Sequence, residues 1–144
     1  MSITVTVLHW LIRLLAVLQL TLGALFWTGN AFTLIPLHML SGLLLILSIW
    51  LQAGLALRSG VHLGLPVLAF AWGVLVIGLG VTQDSLLTGD LHWLIRILHV
   101  LFGVAAVGQA EAIARRTLSR LGGRRVNAHT AWSAAEPRVR RANH

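Results

Sequence analysis

Four long apolar stretches, at residues 5–27, 35–57, 63–81 and 91–113, take up most of this 144-residue chain. Each is close to the ~20 residues that a helix needs to cross a hydrocarbon core. Charged residues make up only 10% of the chain, against about 25% in an average soluble domain. A soluble helical bundle would need polar outer faces. These stretches offer almost none, and mean hydropathy is +0.84. The expected fold is therefore all-α, a four-transmembrane-helix up-down bundle. It is expected over residues 1–114, with a basic tail over 115–144.

No basic residue precedes the first apolar stretch, and no small-residue cleavage site follows a short apolar core. The first span is therefore expected to stay in the mature protein. There is no cysteine. That excludes disulfides, zinc thiolates, iron–sulfur clusters and covalent c-type haem attachment. All eleven basic residues are arginine.

The arginines also set an orientation. Eight lie after Ile113: Arg115, Arg116, Arg120, Arg124, Arg125, Arg138, Arg140 and Arg141. Arg58 lies between the second and third stretches, and the other two loops have none. The positive-inside rule then places both termini in the cytoplasm, in a bacterial inner membrane. Trp27 and Trp93 fall near the outer boundary and Trp10 near the inner one, as aromatic belts would. The start of the tail, residues 111–121, is expected to continue the fourth helix, with Gly122-Gly123 ending it. Weak order is expected beyond, with His129 and His144 solvated. So basic a tail beside a membrane attracts anionic lipid, and nucleic acid is not expected as a partner.

Ionisable groups inside a span are costly and mark functional sites by default. His92, Arg96 and His99 are spaced i, i+4, i+7 on the fourth stretch, on one helix face. The second stretch carries His38. Leu37-His38-Met39-Leu40-Ser41-Gly42 echoes Leu98-His99-Val100-Leu101-Phe102-Gly103. Both copies run inward, so the two histidines can share a depth. In an up-down bundle the second and fourth helices face each other across the core. One imidazole from each side, with Gly42 and Gly103 leaving room one turn below, describes a haem b site. The alternative use of those glycines is close helix packing.

His92 and His99 differ in depth by about 10 Å at ~1.5 Å per residue. With His99 as ligand, Arg96 lies one turn nearer the outer surface, where it could bond a haem propionate. His38 and His99 are therefore the preferred ligands, with His92 as the alternate. His9 and His62 lie near the inner surface, where interfacial roles suffice. Arg13, one turn deeper than His9, must pair, snorkel or meet a cofactor. Gln19 and Gln52 are expected to make helix–helix hydrogen bonds.

Four spans, His9-Trp10-Leu11 opening the first, His38 with Gly42 opening the second, and histidine opening the fourth resemble bacterial cytochrome b561. They also resemble the cytochrome b subunits of nickel-iron hydrogenases and formate dehydrogenases. The resemblance covers about residues 5–115 through short motifs. It implies two haems b stacked across the membrane and quinone as the usual electron partner. It assigns His38, with His92 or His99, to the outer haem and His9 to the inner one. The second inner histidine is missing, with Gly108, Gln109 and Glu111 in that region. One haem b is the expectation here, against the two that the resemblance implies.

The sequence has no paired-carboxylate constellation, no Ser-His-Asp set and no phosphate-binding glycine loop. Bis-histidine ligation leaves no open position on the iron, which favours electron transfer over oxygen chemistry. The expected function is electron transfer with quinone or a partner redox subunit. Two other classes fit the same residues: a small transporter or channel component using Arg13, Arg96 and the histidines as a relay, and a cofactor-free structural subunit.

Overall fold

The computed structural model describes residues 1–29 and 31–142, with side chains up to 123 and at 126 and 127. The chain folds into four long helices: α1 (Ser2–Trp27), α2 (Ile35–Arg58), α3 (Gly64–Thr82) and α4 (His92–Ala142). Short 3-10 turns, Phe32–Leu34 and Gln83–Ser85, precede α2 and follow α3. No strand occurs among the described residues. All four helices are long and apolar enough to cross a membrane.

The packing explains why these helices belong in lipid. Only 17–28% of each spanning window is buried inside the bundle, although every window is strongly apolar. The remaining leucines, valines and isoleucines face outward, where water would penalise them and acyl chains do not. Trp10, Trp27 and Trp93 are among these exposed side chains.

Neighbours run α1–α2–α3–α4 around the bundle, and α1 closes the ring against α4. Across the middle α2 touches α4, so the diagonal expected from the up-down order is the one in contact. Small residues let it close: Ala53 on α2 and Ala106 and Ala110 on α4 are at most 4% exposed. They join Ile12, Ile49 and Ile113 in one core, set toward the end that holds the chain termini.

The α2–α3 connection shows how a short turn is specified. Gly60 takes φ 81°, and its N–H donates to the Leu57 carbonyl. The next N–H, of Val61, reaches back to the Ala56 carbonyl, and the Val61 side chain is buried. This paired closure satisfies the last carbonyls of α2 and turns the chain within a few residues.

The tail departs from the expectation. Helix α4 continues past Ile113 as expected, but it does not end at Gly122-Gly123 and runs on to Ala142. A glycine stops a helix when it takes the left-handed conformation. Among the described residues only Gly29, Gly60 and Gly89 do so among glycines. Thr117, in the stretch expected to continue the helix, is fully buried and bonds the Ile113 carbonyl. His144 lies outside the described residues, as do the side chains of Arg124, Arg125, His129, Arg138, Arg140 and Arg141.

Candidate cofactor site

The end of the bundle away from the termini is built differently from the packed core. Here α2 begins with Ile35-Pro36, proline falling in the first turn where its missing N–H costs nothing. His38 follows one turn in, half-buried. On α4, His99 lies two turns from the helix start, also half-buried. The two imidazoles meet across the α2–α4 diagonal, with ring centres 6.4 Å apart and planes at 55°. Nδ1 of each ring is buried and has no hydrogen-bond partner among the described residues. Orphaned buried polar atoms are uncommon and call for a partner.

The surroundings fix both rings. Phe26 of α1 presents an edge contact to His38 at 5.3 Å between centres. Gln19 of α1 donates from Nε2 to the His38 carbonyl at 2.8 Å, with Ser41 Oγ at 3.3 Å. On the other side Gly80 of α3 makes room for His99: a Cβ there would sit 3.1 Å from Cε1 of the ring.

The remaining sequence candidates fall in different places. His92 does not join the pair; its Nδ1 lies 3.3 Å from the Leu86 carbonyl in the α3–α4 connection. Arg96 is exposed and has no hydrogen bond or ion pair among the described residues. Gly103 has open space beside it. Gly42 does not: a Cβ there would come within 2.6 Å of the Gln19 amide nitrogen, so α1 fills that flank. His9 lies at the opposite end, with Nε2 3.5 Å from Glu111 Oε1.

Gln19 makes the helix–helix hydrogen bond expected of it, to the turn of α2 that carries His38. Two residues escaped the sequence reading. Gly80 carries no side chain to notice. Glu111 is the acid that pairs Arg13, through Nε to Oε1 at 2.7 Å and Nη2 to Oε2 at 3.0 Å. A lone acid on the fourth span, opposite a lone arginine on the first, was the available signal.

Fold and surface together define a multi-pass, all-α membrane protein of the four-helix-bundle class. No family model matches the chain, and comparison with curated proteins and with solved structures finds no match.

Proposed function

We propose that this protein is a membrane b-type cytochrome that holds one haem b between His38 and His99. One observation carries the reading. The His38 and His99 rings, on opposing helices, meet across the α2–α4 diagonal with centres 6.4 Å apart, and one imidazole from each side is a donor set that a haem iron would take. Their buried, partnerless nitrogens and the open flank of Gly103 support the same reading. So do the short motifs that resemble cytochrome b561.

When bound, such a group supplies one-electron exchange, and two histidine ligands leave no position for oxygen. The chain's own residues hold and orient. Gln19 pins the turn of α2 that carries His38, and Phe26 and Gly80 set the two rings. Arg96 offers an unpaired cation to a propionate at the wet edge. The host is proposed to be a bacterial inner membrane with both termini cytoplasmic, on the arginine count. The electron partner is quinone or a redox subunit.

The direct test is a reduced-minus-oxidised spectrum of detergent-purified protein expressed with ample haem. A sharp b-type alpha band is expected. A colourless product would sink the proposal and favour the relay reading, for which the Arg13–Glu111 pair inside the membrane is the supporting feature.

Two further results follow. A reporter fused after Ala142 should be active only on the cytoplasmic side; periplasmic activity would reverse the topology. Arg96→Gln should keep its haem but lower its reduction potential, because reduction adds an electron that a nearby cation favours. The expected loss is on the order of 1 kcal/mol for one partly wet charge-assisted bond. An unchanged potential in redox titration would remove Arg96 from the site.

A further inference from the structure

We infer that the end of the bundle holding the chain termini is closed to a second haem, so that any redox partner must meet this protein at the His38–His99 end. The inference rests on the single-haem reading above. It departs from the two-haem arrangement that the sequence motifs resemble, and the reason is visible in the packing.

His9 is the histidine that an inner haem would need. Its Nε2 already faces a carboxylate, Glu111 Oε1, at 3.5 Å. Arg13 holds that carboxylate through two bonds, of 2.7 and 3.0 Å. A two-point arginine–carboxylate pair is strong and geometrically fixed. Glu111 is therefore engaged by both Arg13 nitrogens, and Arg13 itself lies against the Trp10 ring, 5.1 Å from its centre. The Nδ1 of His9 is buried without a partner among the described residues, but a bis-histidine site like the one proposed at the other end would need a second histidine beside it. His62 does not provide it: this side chain is exposed in the α2–α3 turn, and its Nδ1 accepts the Gly64 N–H at 3.3 Å.

Space is missing as well as ligands. Ile12, Ile49, Ala53, Ala110 and Ile113 are at most 1% exposed. The fully buried Gln52 of α2 donates from its amide to the Ala110 carbonyl of α4. That bond ties the diagonal helices together where a macrocycle would have to part them. Glu111 lies twelve residues beyond His99, or ~18 Å along α4 at ~1.5 Å per residue. The two ends are thus separate, the His38–His99 pair at one and the packed core with the Arg13–Glu111 pair at the other. Donor and acceptor must both approach the first, from the aqueous phase or from the lipid around that half.

The test uses the full-length protein. A pyridine haemochrome assay at known protein concentration should give one haem per chain. His9→Gln should keep that complement, because His9 is not a ligand. The protein is then reconstituted into phosphatidylcholine–phosphatidylglycerol vesicles with ferricyanide trapped inside and dithionite added outside. Dithionite would supply the electrons, and each ferricyanide would take one. Ferricyanide should persist as it does in protein-free vesicles. Two haems per chain, one of them lost in a folded His9→Gln variant, or consumption of the trapped ferricyanide would each overturn the inference and leave the His38–His99 site standing. A colourless wild type would overturn the haem reading and this inference with it. The wild-type stoichiometry stays decisive even if His9→Gln fails to insert.

Discussion

His38→Ala should give a protein that inserts and folds but retains almost no haem, and His99→Ala should do the same. Each variant removes one of two axial ligands, and the other ring cannot hold the iron from both sides. The fold should survive, because neither side chain belongs to the packed core, which lies toward the other end of the bundle. His92→Ala is the internal control. Its ring contacts the Leu86 carbonyl rather than His38, so nearly full haem content is expected. Haem content per chain, read beside a thermal unfolding curve, separates ligand loss from misfolding. A colourless His92→Ala with a coloured His99→Ala would transfer the ligand role to His92.

The second large effect is on stability and sits on α3. A Cβ on Gly73 would press into the Trp50 indole and come 2.9 Å from Ile46 Cγ2, both on α2. Contacts that short force the neighbour or the helix to move. Gly73→Ala should therefore destabilise the bundle by about 1–3 kcal/mol, the usual cost of overpacking. Gly78, on the same helix, has nothing within 4 Å of its would-be Cβ. Gly78→Ala should be neutral or stabilise by up to ~1 kcal/mol through helix propensity. Unfolding of both variants in the same detergent gives the comparison. Equal stabilities would mean that the α2–α3 contact at Gly73 yields freely.

The helices were legible because lipid leaves the backbone few choices. The apolar stretch at 35–57 became Ile35–Arg58, and that at 63–81 became Gly64–Thr82, with little adjustment. The helix stop was misplaced for a local reason: Gly122-Gly123 permits a stop but does not compel one, and α4 runs through both. The site was half legible. The i, i+4, i+7 stripe and the echoed Leu-His motifs pointed to His38, His92 and His99. The echo and the place of Arg96 favoured His99, while the stripe alone left His92 as the alternate.

The sequence by itself determined the class, four spans with ionisable groups on the second and fourth, because hydrophobic length and charge are properties of the chain. Only the tertiary structure decided the partners. It brought His99 rather than His92 to His38, filled the flank of Gly42 with Gln19, and joined Arg13 to Glu111 across 98 residues of chain. Those choices depend on how each helix is rotated about its axis and how deep it sits. Both are set by side-chain packing between helices, which no single span's periodicity contains.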